Sequence, residues 1–131
     1  MKSNKIYWVI AIILGVVFGT QQWQMMSVPA VDVKAAQSMN QQGALLLDVR
    51  EPEEYKAVHA VNAQLIPLGQ LGDRLKEIET YKDKPVVVIC RSGNRSAKAV
   101  SMLQGAGYTN VNNVSGGTNA WEKAGLETIK M

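Results

Sequence analysis

The chain has 131 residues, 47% of them apolar and 19% charged, a composition that fills one small domain and excludes an intrinsically disordered protein. Its basic excess sits at the front, since from Val31 onward 12 Lys and Arg face 11 Asp and Glu. Those charges are interspersed, as in EPEEYK and DRLKEIETYKDK, so no basic stripe is left to track phosphates, which argues against a nucleic-acid partner.

Residues 1–30 read as a unit separate from the domain at 31–131. Lys2 and Lys5 precede Ile6 to Gly19, IYWVIAIILGVVFG, a run with no charge. This is the pattern of a secretory signal or an N-terminal membrane anchor. As a helix the run spans about 21 Å, short of the roughly 30 Å hydrocarbon core. Its length favours a signal peptide, but the best small-residue cleavage site, VPA ending at Ala30, lies far from the apolar run. Tyr7, Trp8 and Trp23 favour a retained transmembrane helix with aromatic belts, which would keep residues 6–19 in contact with the membrane. Gly15 and Gly19 have the spacing of a helix-packing pair. Either way the lysines stay in the cytoplasm, and the domain is expected on the periplasmic or other extracytoplasmic side.

Gln21 to Val31 reads as a linker or a short first strand. Asp32 is placed to cap a helix running to about Gln42, with Gly43 as its stop. ALLLDV is a continuous apolar run suited to a strand buried on both faces, and it ends at Asp48. Pro52 fits the first turn of a short helix, PEEYKAV. AQLIP reads as a short strand. LGQLGDRLKEIETY carries Leu68, Leu71, Leu75 and Ile78 at helical spacing. PVVVIC is a second buried strand, NRSAKAVSMLQGAG an amphipathic helix, YTNVNNV a last strand and GTNAWEKAG a last helix. Alternating strands and helices predict an α/β fold, a parallel sheet with helices on both faces. Sites in such a sheet form at the carboxyl ends of strands, where Asp48 and Cys90 both fall.

Cys90 is the only cysteine. An exported domain usually pairs its cysteines, so a lone thiol is either inert or reactive. Its neighbours favour reactivity. Gly93 permits a tight turn into a helix starting near Arg95. The amides of such a turn form an anion nest, and the helix end adds positive potential. The thiol is therefore expected to ionise below its ordinary pKa, with Arg91 or Arg95 assisting. The same cradle suits a small anionic substrate. His59, the only histidine, lies in another segment and reads as a structural residue rather than as a base or metal ligand.

Three blocks in order, LLLDVREPEEY…H…IP, VVVICRSGNRSAKAVSML…GY and VSGGTNAW…GL, resemble the rhodanese domain in its small single-domain form. The resemblance covers about Val31 to the C-terminus. It implies a central parallel sheet and a catalytic Cys90 that carries a persulfide. Cys90 would take sulfane sulfur from thiosulfate or a persulfide donor and pass it to cyanide or a thiol. By the same analogy Arg91, Ser92, Gly93, Asn94, Arg95 and Ser96 bind the substrate. Arg91 is expected to face it, and Arg95 to be tied to Asp48 or Glu51. Asp48 and Arg50 are expected to lock the loop rather than react, or simply to form an ion pair. No cofactor and no metal is implied. Val58 stands where the family often has glycine, and Val61 and Asn62 replace a Pro-Gly turn. A second reading is a membrane-tethered sulfur carrier or partner-binding module with little turnover. A third is a cysteine-dependent phosphatase or arsenate reductase. Those relatives have one residue more between cysteine and arginine than the four that separate Cys90 from Arg95, so the cradle here is smaller.

Overall fold

The structure, a computed structural model, describes residues 28–131. The apolar segment at 6–19 lies outside them. Among the described residues no helix is long and apolar enough to cross a membrane.

Five strands form one parallel sheet: β1 (Ala30–Val31), β2 (Leu45–Asp48), β4 (Gln64–Leu65), β5 (Val86–Ile89) and β6 (Val111–Val114), in the order β1-β6-β5-β2-β4. Five helices surround it: α1 (Val33–Gln41), α2 (Pro52–Ala57), α3 (Leu68–Leu71), α4 (Asn94–Gly105) and α5 (Gly117–Lys123). The strand alternation sorts the core into two layers. Leu45, Leu47, Val86 and Val88 pack with Leu71, Ile78, Val100 and Leu103, while Leu46, Val87 and Ile89 pack with Val33, Ala36 and Trp121. Both faces of β2 and β5 are therefore dry, which is why these strands are unbroken apolar runs. The α/β expectation holds.

Local signals mostly act as read. The Asp32 side chain accepts from the Ala35 amide at 2.8 Å and caps α1. Pro52 opens α2. The segment expected to be one helix after Pro67 differs. Only Leu68–Leu71 is α-helical, and Gly72–Tyr81 is 3-10, with Arg74 leaving helical angles at φ −116°. Leu75, Ile78 and Tyr81 recur every third residue, which aligns them on a helix of three residues per turn.

A second, two-stranded antiparallel sheet pairs β3 (His59–Ala60) with β7 (Thr128–Ile129), and the sequence did not predict it. The turn after His59 keeps a tight shape despite its unusual residues. Asn62 takes φ +67°, the left-handed region that asparagine tolerates better than most residues, and the Ala63 amide donates to Ala60 O at 3.1 Å. Val61 uses the amide that a proline would lack, donating to Glu127 O at 3.1 Å.

Strand β1 falls within the stretch read as a linker or a short first strand. Ala30 pairs with Asn113, and the Asn113 amide donates to Pro29 O at 2.8 Å, so cleavage after Ala30 would cut β1.

Candidate active site

Strand β5 ends at Ile89 and delivers Cys90 to the carboxyl edge of the sheet, beside Asp48 at the end of β2, which is in register with Ile89. The next residues fold around the sulfur. Gly93 takes φ +116°, so the chain can reverse and enter α4 one residue earlier than Arg95. The loop carbonyls are turned outward and fastened. Cys90 O accepts from Thr118 N at 2.8 Å and Thr118 Oγ1 at 3.0 Å. Arg91 O accepts from Asn119 N at 3.1 Å, and Gly93 O from Asn113 Nδ2 at 3.0 Å. With the carbonyls held outside, amides face the sulfur, and Gly93 N reaches Cys90 Sγ at 3.1 Å.

Cys90 is a free thiol and 1% exposed. Burial pushes its pKa up. The Ser96 hydroxyl and the amides of Ser96, Gly93 and Ser92 pull it down by more, so the thiol sits below its ordinary value. The direction matches the sequence expectation, but the cause is direct hydrogen bonding to sulfur rather than the loop arginines.

Ser96 is buried on the inner side of the loop, its Oγ 3.2 Å from Cys90 Sγ. Gly93 is also buried, while Arg91, Ser92 and Asn94 are exposed at the mouth. Arg95 departs from the expectation. It bonds neither Asp48 nor Glu51 but makes a two-point contact with Glu54, at 2.6 and 2.9 Å. Glu54 is the third residue of α2 and also accepts from the Glu51 amide at 3.2 Å, so its carboxylate already stands at the helix start facing α4. Asp48 is unavailable to Arg95 because Arg50 occupies it. Arg50 Nε lies 3.0 and 3.1 Å from the two Asp48 oxygens, and Nη2 lies 2.8 Å from Asp48 Oδ2 and 2.7 Å from Val58 O. Asp48 and Arg50 thus form a buried ion pair beside the loop. His59 is structural in its contacts: Nδ1 donates to Tyr55 O at 2.7 Å, and its ring stacks on Tyr55 at 3.6 Å between centroids. Among the described residues no group of His, Cys, Asp and Glu could hold a metal.

Three contributors were not singled out from sequence: Glu54, Asn113 and Thr118. Asn113 is the most informative. It is buried on β6, and its Nδ2 bond to Gly93 O fixes the amide so that Oδ1 faces Ser96 Oγ at 2.5 Å. A polar residue in the inward register of a core strand was the available signal.

A cleft of about 250 Å³ opens beside the loop, lined by Arg50, Glu54, Arg91, Thr118 and Glu122 among others.

Comparison with known proteins places this arrangement. The model of the rhodanese-like domain matches residues 32–124. An uncharacterised Synechocystis protein, slr1261, is 38% identical over 74% of this chain, which spans only 54% of that relative. The thiosulfate sulfurtransferase GlpE of Pseudomonas syringae is 36% identical over 66% of this chain and 79% of its own length. Among solved structures, the polysulfide-sulfur transferase homodimer of Wolinella succinogenes superposes with a TM-score of 0.72 at 28% identity, covering 89% of this chain and 90% of that one.

Proposed function

The chain belongs to the rhodanese-like domain family, and from that premise and the geometry around Cys90 we propose that it is a sulfurtransferase working through a Cys90 persulfide. The observation that carries the reading is the unpaired, buried sulfur at the centre of a loop whose amides and Ser96 hydroxyl converge on it. In the first half-reaction the Cys90 thiolate attacks the outer sulfur of thiosulfate. The S–S bond of thiosulfate breaks and its electron pair leaves with sulfite, so Cys90 becomes a persulfide anion. In the second, an acceptor thiolate or cyanide attacks the outer sulfur of that persulfide. The new S–S bond breaks and Cys90 is returned as thiolate. The amides of Ser92, Gly93 and Ser96 stabilise negative sulfur in both states, because the charge moves by one atom inside the same nest. Arg91, exposed at the mouth, attracts the anionic donor, while Arg95 and Glu54 brace the start of α4.

The kinetics expected of this scheme are ping-pong. Intact-mass spectrometry after incubation with thiosulfate tests it: one sulfur should be gained, then lost on adding cyanide, and Cys90→Ser should gain none. Failure of every sulfane donor to add sulfur would overturn the reading. The position of the domain outside the cytoplasm is part of the proposal, supported by Lys2 and Lys5 ahead of an uncharged Ile6–Gly19. The retained form is favoured by the placement of Ala30 within β1.

A further inference from the structure

We propose that the cleft beside the Cys90 loop is a carboxylate subsite for the sulfur acceptor, with the buried edge of Arg50 as its donor and Arg91 at its rim. The acceptor is then a thiol carrying a carboxylate, of the amino-acid type. The use of the cleft rests on the reading of Cys90 as a sulfur carrier.

The starting point is an incomplete guanidinium. Arg50 is 3% exposed. Its Nε and Nη2 are spent on Asp48 and Val58 O. A guanidinium has five N–H groups, so the two on Nη1 remain, and among the described residues they have no hydrogen-bond partner. A sealed, unpartnered guanidinium nitrogen would be costly. No buried side-chain nitrogen or oxygen among the described residues is left without a partner, so Nη1 is not sealed. The cleft that Arg50 lines is where we place that opening. A buried guanidinium with one edge held by a carboxylate and the other presented to a cavity is built to take a second oxyanion.

The remaining lining sets the class of ligand. Glu54 is engaged by Arg95, so its charge is answered. Arg91 and Glu122 make no ion pair among the described residues. A cleft with two cationic donors and one free carboxylate matches a molecule that carries a carboxylate and an ammonium. At about 250 Å³ it suits a small metabolite rather than a drug-sized ligand. Its wall is also continuous with the reacting residue, because Thr118, which lines it, bonds Cys90 O through both its amide and its hydroxyl. A thiol anchored there by its carboxylate is delivered beside the loop, and its thiolate attacks the outer persulfide sulfur in the second half-reaction above.

Calorimetric titration of the full-length chain with S-methylcysteine and with its methyl ester reads the cleft without any sulfur transfer. The free carboxylate should bind about tenfold more tightly, the scale of one hydrogen bond to a charged group. Arg91→Gln, an exposed change that leaves the core untouched, should reduce that preference. Arg50→Lys should abolish it, since lysine can keep the charge opposite Asp48 but not a second donor edge. If Arg50→Lys does not fold, the ester comparison and Arg91→Gln still decide. With cysteine and cysteine methyl ester as acceptors, the ratio of kcat/KM values should fall in Arg91→Gln relative to the unaltered chain, a comparison in which intrinsic thiol reactivity cancels. Equal binding of acid and ester overturns the subsite. A clear preference in a protein whose Cys90 gains no sulfur upholds the subsite and overturns the transfer reading.

Discussion

Ser96 has one hydroxyl hydrogen and two neighbours that want it, the Cys90 sulfur at 3.2 Å and Asn113 Oδ1 at 2.5 Å. Asn113 cannot turn its NH₂ toward Ser96 without losing its bond to Gly93 O. While Asn113 holds the hydrogen, Ser96 presents a lone pair to the sulfur and favours the protonated thiol. When the thiolate forms, the hydrogen must swing to sulfur and leave two oxygens facing each other. Asn113 should therefore blunt the help that Ser96 gives the thiolate. Ser96→Ala should raise the pH midpoint of iodoacetamide reaction at Cys90, and should raise it further in an Asn113→Ala background than in the unaltered one. Equal effects in the two backgrounds would show that Asn113 does not compete. The charged groups on the loop and on the elements beside it are Arg91, Arg95 with Glu54, and Asp48 with Arg50, and none is changed by the cycle.

A second residue-scale outcome concerns Glu54. Its hydrogen bond with Arg95 carries its pKa down from 4.5 to about 2 against the opposing effect of burial. A depressed carboxylate pKa adds stability that is complete above the unfolded value and is lost as pH falls through the folded one. The stability advantage of the natural chain over Glu54→Gln should be constant above about pH 4.5 and should vanish toward pH 2. Both side chains are about a third exposed, so solvent screening holds the advantage to roughly 1 kcal/mol. Chemical denaturation across that range measures it. The partnership itself was not legible in the sequence. Arg95 was visibly a tethering residue, but Asp48, Glu51 and Glu54 are all acids in one short stretch, and the choice among them depends on α2 turning Glu54 toward α4.

Among elements, the turn from β6 into α5 is the one that shapes the loop from outside. Gly117 has φ +57°, and a Cβ there would overlap Cys90 O and stand 2.6 Å from Arg91 C and O. These are backbone atoms, already anchored by the amides of Thr118 and Asn119, so they have no soft direction in which to yield. Gly117→Ala should cost at least about 2 kcal/mol in denaturant unfolding. It should also slow alkylation of Cys90, because the loop must shift. Gly43→Ala is the control. It shares a positive φ but meets nothing within 4 Å, so it should lose less stability and leave the thiol unaffected. At this scale the sequence was informative where periodicity was strong. The runs ALLLDV and PVVVIC could only be buried strands, and the residues at their ends had to share an edge. It was least informative at Gly72–Tyr81, where the apolar spacing fits both an α-helix and the observed 3-10 turn.

For the molecule as a whole, the C-terminal residues clamp the core layer that holds Trp121 through contacts that two-residue strands cannot advertise in sequence. Glu127 O accepts from the Val61 amide and from Trp121 Nε1 at 2.9 Å, and Trp121 is fully buried. A chain ending at Gly125 leaves a buried indole donor without its partner and removes β7. It should lose about 2 kcal/mol or more, equivalent to a fall of roughly 10 °C in Tm for a domain of this size. Differential scanning calorimetry of the two chains decides. No hydrophobic pattern marks His59–Ala60 or Thr128–Ile129, since a period needs more than two residues to show. The replacement of a Pro-Gly turn by Val61 and Asn62 was visible. Its meaning was not, because the use of the freed amide depends on a segment 66 residues away.

On the persulfide reading proposed above, the depth of Cys90 lets the domain distinguish its idle and loaded states. At 1% exposure the empty sulfur is hidden from anything broader than a small anion or a slender electrophile. Loading would add one S–S bond and set the terminal atom about 2 Å beyond the Cys90 sulfur, still within reach of the loop amides. An acceptor would then have less depth to cross to meet the cargo than to meet the carrier. A thiol too broad to form a mixed disulfide with the idle protein would thus be able to collect sulfur from the loaded one. A lone cysteine would in this way be shielded when idle and within reach when charged.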